Sequence, residues 1–485
     1  MKIHSVKFNF IMNFLLTASS IIFPLITFPY VSRVLGAVGN GKVAFASSVL
    51  TYFTMFASLG IPTYGIRACA QVREDKEKLS RTVQELLVIN TVTMLIVYLV
   101  FVVMVFAVPE FREEKELLYI NSITMVLNVF GVSWLYSALE QYAYITVCSL
   151  VFKVLSIIMM FAWVKDPDDY IIYGAVTVFA SCGSYVMNFI KMHKYVTLKK
   201  TGKYDFKRHL RPVGIFFAMS AATSVYTNLD VVMIRFIKDD AEVGYYNAAI
   251  KVKTILVSLI TSLGTVLLPR LSYYVERKEE HAFYHIIVKA FNFVLILASS
   301  VMVYFMMFAE EAVLVLSGEG FRPSIPAMIL LMPTVLLIGL SNITGIQILT
   351  PMGREKEVLI SIVAGAVLDF GLNLVLIGRY GAAGAAFATL LAELLVLVVQ
   401  CVYLKEMLRS VVTQISVGKT AAALFVAGIA AVLLKLNLDI RPFWMICVTG
   451  AVFFGIYGVL LLAMKEPFVM EMWEMLKKAV FKERA

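Results

Sequence analysis

The chain has 485 residues, of which 60% are apolar and only 16% charged, against roughly 25% charged in an average soluble domain. Soluble chains of this size put charge over most of their surface, so a mean hydropathy of +0.84 requires a second, apolar solvent, the bilayer. The net charge of +10 does not point to nucleic acid, because Lys and Arg fall in short segments on alternate sides of apolar runs, which is a topology pattern.

A helix crossing the ~30 Å hydrocarbon layer needs about 20 apolar residues. Fourteen stretches meet that test: 8–30, 43–65, 83–108, 117–139, 143–164, 171–190, 213–234, 244–268, 288–308, 325–349, 357–377, 382–404, 417–435 and 441–464. The expected fold is therefore all-α and polytopic, with 14 transmembrane helices. Lys2 and Lys7 precede the first stretch as in a signal peptide, but the stretch is span-length and no A-x-A site follows, so it reads as a retained helix.

Positive charge sets the orientation, with both termini in the cytoplasm. The segment 191–212 carries Lys191, Lys194, Lys199, Lys200, Lys203, Lys207, Arg208 and Arg211, whereas 309–324, on the other side, carries only Arg322 beside Glu310, Glu311 and Glu319. Every loop is too short to be an independent soluble domain, so function resides within or between the helices. The tail 465–485 places Phe468, Val469, Met472, Trp473, Leu476 and Val480 at helical spacing opposite Lys477, Lys478 and Lys482, a pattern for an amphipathic helix along the inner membrane surface.

The first hairpin recurs. Arg33, Gly41, Gly60 and Arg67 correspond to Arg235, Gly244, Gly264 and Arg270 at offsets of 202–204 residues. The repeat spans six helices and is parallel, because six is even. It divides the chain into a six-helix lobe (1–200), a second, pseudo-symmetric six-helix lobe (201–408), an extra helix pair (409–464) and the tail, with a cleft expected between the lobes. Cys69, Cys148, Cys182, Cys401 and Cys447 are widely spaced, without a CxxC or Cys/His grouping, and read as packing residues.

Polar groups inside spans carry the functional information, since a charge at helix centre costs roughly 2.5–3.5 kcal/mol on insertion scales. Lys153, near the bilayer middle of the fifth span, is the first candidate for contacting an anion. Lys251 and Lys253 lie within the eighth span on opposite helix faces, so they serve different partners. Asp230 and Lys251 are nearly equidistant from the turn at Asp240, which suits an ion pair and leaves Lys253 for the cleft or for the outer interface. Asp369 and Glu393 occupy neighbouring spans at comparable depth, where they either share a proton or a cation, or bond polar neighbours such as Asn373 and Gln400. Pro24, Pro29, Pro326 and Pro333 permit bends. Residues 36–42 mimic a phosphate loop, but Val43 replaces the required hydroxyl and no strand precedes it, so this is an external turn and the chain is not an ATPase.

The runs FPYVSRVLGAVGNGKVAFASS, GVSWLYSALEQYAYITVCSLVFKV, VKDPDDYIIYG and YTNLDVVMI followed by VGYYNAAIKV resemble the bacterial oligosaccharide and polysaccharide flippases of the multidrug/oligosaccharidyl-lipid/polysaccharide exporter superfamily. The resemblance covers most of 8–405 and rests on the order of Trp134 with Glu140, Asp169-Tyr170, and Asp230 before Gly244-Tyr245-Tyr246. It implies translocation of undecaprenyl-diphosphate-linked repeat units to the outer leaflet by alternating access. It further implies that the protein acts as a single chain in the bacterial cell membrane, in contact with membrane lipids and other polysaccharide-biosynthesis proteins, driven by a gradient or membrane potential with H⁺ or Na⁺ as coupling ion and no cofactor. Under that reading Lys153 and one of Lys251 or Lys253 face the diphosphate, and Arg33, Arg67 and Arg270 guide the headgroup. Asp230, Asp369, Glu393 and Glu140 serve ion coupling or structural pairing.

Related lipid II flippases use arginines in the first helix, which here offers only apolar residues, hydroxyls, asparagines and prolines. A multidrug antiporter would have twelve helices and an acidic, aromatic site. A membrane polymerase or acyltransferase would need a catalytic constellation at one interface; His4, His193, His209, His281 and His285 all fall on the inner side, and the chain is read as not an enzyme.

Overall fold

The computed structural model describes residues 6–200 and 202–482, and every regular element in them is helical. Ten helices are long and apolar enough to cross a membrane, and two of these, Ile11–Ala70 and Glu355–Tyr403, are long enough to cross twice. Glycine accounts for the doubling. Gly36 (φ 64°) and Gly381 (φ 54°) interrupt otherwise continuous helices in a left-handed conformation that a Cβ disfavours. The more polar helices Lys207–Ile237 and Asp240–Glu276 bring the membrane helices to fourteen.

These are α1 (6–35), α2 (37–58), α3 (Lys76–Ala107), α4 (Lys115–Gly131), α5 (Tyr142–Trp163), α6 (Tyr170–Met192), α7 (Lys207–Ile237), α8 (Asp240–Glu276), α9 (Glu280–Met307), α10 (Ile325–Ser341), α11 (355–380), α12 (382–403), α13 (Val417–Asn437) and α14 (Pro442–Ala463). Helices dominate because lipid offers backbone N–H and C=O groups no partners. The α10 helix continues as a π-helical stretch, Asn342–Leu349.

Two compact units result, Met1–Asn247 and Ala248–Ala485. Their boundary falls inside α8, whereas the lobe boundary at 200/201 is a reading of the internal repeat.

Within a bilayer, burying a leucine gains little, because lipid tails are as apolar as the protein interior; close packing and hydrogen bonds decide which faces meet. In the first unit, Gly65 accepts the Trp134 indole at a distance that leaves no room for a Cβ, which would lie 2.7 Å from the ring. Trp134 joins Tyr136, Leu79, Val83 and Leu86 in a buried cluster, so this member of the resemblance motif is a packing residue. Tyr136 donates to the Asn188 carbonyl (2.5 Å), and Asn188 donates to the Gly131 carbonyl (3.1 Å), fixing the end of α4 against α6.

In the second unit, Ala423, Ala427 and Ala431 form a fully buried small-residue stripe on α13, packed with Tyr304, Phe308, Phe453 and Tyr457. The extra helix pair thus packs on α9, where Tyr304 also donates to the Ile446 carbonyl (2.7 Å). Lys435, the charge near the end of α13, pairs with Glu311 at 2.6 Å. The tail helix Pro467–Lys482 is anchored by Lys289–Glu471 (2.5 Å) and by Phe468 against Phe293. Leu476, Lys478, Val480 and Lys482 lie outside the described side chains.

Candidate functional site

The fifth-span lysine meets hydroxyls. The α1 helix runs alongside α5, tied by Thr146 donating to the Met12 carbonyl (2.9 Å) and Tyr30 donating to the Val164 carbonyl (2.8 Å). This alignment places Lys153 Nζ 2.8 Å from Ser19 Oγ and 3.0 Å from Ser20 Oγ, to both of which it donates. Both serines spend their own protons on the Leu16 carbonyl, leaving oxygen lone pairs for the ammonium. No carboxylate among the described residues forms an ion pair with Lys153. Hydroxyls of the first helix thus solvate a lysine from α5.

The remaining candidates are dispersed. Lys251 and Lys253 are half-buried on α8. Asp230 is buried on α7 and accepts a hydrogen bond from the Tyr246 hydroxyl. Asp369 and Glu393 are buried on opposite arms of the Gly381 hairpin, and Asn373 donates to Asp369 at 3.2 Å, the neighbour anticipated from the sequence. Gln400 is otherwise engaged, donating to Ser361 (3.0 Å) and accepting from Thr344 (2.5 Å). Glu140 forms a partly exposed ion pair with Arg73 at 2.7 Å. Arg33, Arg67 and Arg270 are exposed; Arg33 donates to the Pro29 carbonyl and Arg270 to the Tyr274 hydroxyl (3.1 Å).

Two polar assemblies in the first unit were not foreseen. At the external turn after Gly36, Lys42 pairs with the buried Glu114 (2.6 Å), and Arg235 bridges Asp240 (2.7 Å) and Glu113 (2.6 Å). Lys42, the apparent phosphate-loop lysine, is thereby committed to a carboxylate.

On the opposite side, Glu85 is completely buried and receives Arg81 (3.0 Å), Arg208 (2.5 Å), His209 (2.8 Å) and the Asp205 amide (2.7 Å). The adjacent Gln84 donates to the Thr197 and Lys199 carbonyls (2.6 and 2.9 Å). The basic segment 191–212 is therefore strapped to α3. Burial pushes the His209 imidazole below its ordinary pKa, against the raising effect of Glu85. The signal was present in the sequence as Gln84-Glu85 near the start of a span.

A third feature is a cavity of about 430 Å³ in the first unit, lined almost wholly by hydroxyls and apolar groups from α2, α4, α6 and α7.

Fourteen membrane helices with solvated charge inside a span define a transporter-like membrane protein. The comparisons sharpen this: the profile of the polysaccharide biosynthesis protein family matches residues 6–275, and the chain belongs to that family. It is 23% identical over 404 residues to a proposed O-antigen transporter of Escherichia coli strain K12, covering 81% of this chain and 95% of that one. Its counterpart from Shigella dysenteriae is 25% identical over 410 residues, covering 80% and 98%. Among solved structures, the lipid II flippase MurJ in an inward-closed conformation shares the fold with a TM-score of 0.75 at 14% identity, over 93% of this chain and 98% of that one. An inward-facing multidrug transporter of the MATE family gives a TM-score of 0.62 at 13% identity, over 81% and 96%.

Proposed function

We propose that this protein is a flippase that carries undecaprenyl-diphosphate-linked oligosaccharide repeat units from the cytoplasmic to the outer leaflet of a bacterial cell membrane by alternating access. The observation that carries the reading is Lys153, a cation within a membrane span held by two serine hydroxyls rather than by a carboxylate. An ammonium within a membrane span without a counter-charge is costly, and a diphosphate supplies that charge when it binds. The family and the O-antigen transporter relatives support the same cargo. In this reading Lys251 or Lys253 adds positive charge along the path, and Arg33, Arg67 and Arg270 meet the headgroup at the membrane surfaces.

Asp369 and Glu393, buried in the second unit, are the positions for a coupling proton or sodium ion. Both termini lie in the cytoplasm, and a single chain carries out transport. The test is reconstitution in liposomes with lipid-linked oligosaccharide, scoring its appearance in the opposite leaflet under imposed proton or sodium gradients. Transport of cationic drugs with no movement of the lipid would reject the reading in favour of an antiporter.

A further inference from the structure

The cavity in the first unit holds hydroxyls at helical spacing from each of its walls. On α2, Ser47, Thr51, Thr54 and Ser58 follow one another at intervals of three or four residues, which keeps them on one face. Facing them are Thr177 and Ser181 of α6 and, from α7, Ser220 and Ser224, again four apart. Asn121 and Thr124 of α4 and Thr63 of the helix Ile61–Ala70 add to the polar lining, and Leu50, Met55 and Val178 are among the apolar residues. Among the described residues, no lysine, arginine, aspartate or glutamate lines this space.

The chemistry of these groups is directional. Thr51 donates to the Ser47 carbonyl (2.8 Å), Thr177 to the Gly174 carbonyl (2.7 Å) and Ser181 to the Thr177 carbonyl (2.9 Å). With those protons spent on their own helices, the oxygens of Thr51, Thr177 and Ser181 present lone pairs, acceptors suited to a ligand rich in O–H donors. Thr54 differs: its Oγ1 is fully buried without a hydrogen-bond partner among the described residues. A hydroxyl facing lipid needs only its own helix, whereas here hydroxyls from α2, α4, α6, α7 and the short helix Ile61–Ala70, with the Asn121 amide, converge on one space. Its volume of about 430 Å³ lies within the ~300–1,000 Å³ of small-molecule sites.

We infer that this cavity is a binding subsite for the uncharged glycan of the cargo, separate in chemistry from the ammonium at Lys153. Sugar hydroxyls donate to the back-bonded serines and threonines, the Thr54 hydroxyl gains its missing partner, and the apolar residues meet the C–H faces of the rings. A diphosphate has no reason to enter, since the lining offers it no charge. The inference rests on the flippase reading and assigns that cargo's neutral part a place of its own.

The experiment uses full-length protein in liposomes with lipid-linked oligosaccharides extracted from the source bacterium, either intact or trimmed by exoglycosidases to the sugar nearest the diphosphate. Thr54→Val combined with Ser181→Ala is expected to slow flipping of the intact lipid about ten-fold, from the loss of two hydrogen bonds, and to leave the trimmed lipid within about two-fold. Thr54→Ser, which keeps the hydroxyl, retains wild-type rates, and Lys153→Gln slows both lipids alike. Equal losses on both lipids in the double variant, or none on the intact one, would overturn the subsite while leaving the flippase reading in place. A wild-type protein inert toward both lipids would instead overturn the flippase reading, and the subsite with it. A second measurement guards against misfolding: saturation-transfer NMR of the released, phosphate-free oligosaccharide should show binding to wild-type and Lys153→Gln proteins, and its absence from both would also overturn the subsite.

Discussion

The backbones at Gly41 and Gly244 approach closely where α2 and α8 begin. A Cβ on Gly41 would lie 1.7 Å from the Asp240 carbonyl oxygen and 3.0 Å from the Gly244 nitrogen, and a Cβ on Gly244 would lie 2.0 Å from the Ala37 carbonyl oxygen. The start of α2 and the start of α8 are thus in backbone contact, a proximity that only glycine permits on either side. We propose that in an alternating-access cycle this contact serves as the outer closure.

Gly41→Ala should therefore prevent full closure. The neighbour is backbone rather than a flexible side chain, so the strain is about 1–3 kcal/mol and biases the protein toward the outward-open form. Asp240→Cys in the Gly41→Ala background should react faster with a membrane-impermeant maleimide than in the parent. Gly214→Ala, where an added methyl meets nothing within 4 Å, is the control. Identical labelling in the Gly41→Ala and control backgrounds would refute the closure.

The ion pairs flanking this contact should couple energetically. Glu114 is almost wholly buried beside Lys42, so removing the lysine alone strands a carboxylate, whereas removing both partners does not. A double-mutant cycle of Lys42→Gln and Glu114→Gln on thermal stability should give an interaction of roughly 0.5–3 kcal/mol, and additive effects would show that the pair contributes nothing.

Lys153→Gln should abolish most flipping while preserving expression and melting temperature, because glutamine still reaches the serine hydroxyls but brings no charge to a diphosphate. Ser19→Ala with Ser20→Ala should reduce transport less, since the ammonium persists without its two acceptors. Wild-type export by Lys153→Gln would remove the anion site from this position.

The spans and their number were legible in the sequence because bilayer thickness imposes a length and a composition on each crossing. The Gly36 and Gly381 breaks fall in the turns that this counting requires. The repeat identified Gly41 and Gly244 as equivalent, but equivalence in sequence does not state adjacency in space, and their contact had to be seen. Ranking intramembrane residues by charge found Lys153 and passed over the serines that hold it, because hydroxyls are inexpensive in a helix and carry little signal one at a time. The same bias hid the hydroxyl cavity, although the four-residue spacing of Thr177 with Ser181 and of Ser220 with Ser224 was available. Asp230 was matched to a lysine by depth, whereas the structure shows it bonded to Tyr246, a phenol that charge counting does not register.

Asp369 lends itself to a test of coupling. If a proton or sodium ion is taken up there, Asp369→Asn should leave transport down a substrate gradient within about two-fold while removing its response to an imposed ion gradient. Asparagine keeps a partner for Asn373 and loses only the exchangeable charge. A variant that still responds to the gradient would move the coupling site elsewhere, with Glu393 the next position to examine.

The strap on α3 should be sensitive to acid through His209. Its ring lies 2.8 Å from both the Tyr64 hydroxyl, at Nδ1, and Glu85, at Nε2, and Arg208 Nε stands 3.1 Å from the same Nε2. Arg81 and Arg208 face the same carboxylate, with Arg67 and Asp205 contributing their fields nearby. Burial lowers the folded pKa of His209 below about 6.5, so between the two values the unfolded chain binds the proton more readily. The stabilisation is complete above about pH 6.5, is lost as pH falls toward the depressed folded value, and changes no further below it. Melting temperature, and hydrogen exchange of the 197–206 backbone, should therefore be constant from pH 7.5 to 6.5 and report progressive weakening between 6.5 and 5. His209→Gln, whose amide can accept from Tyr64 and donate to Glu85, should remove that dependence. A wild-type protein whose strap is equally protected at pH 5 and 7.5 would show that the imidazole does not govern it.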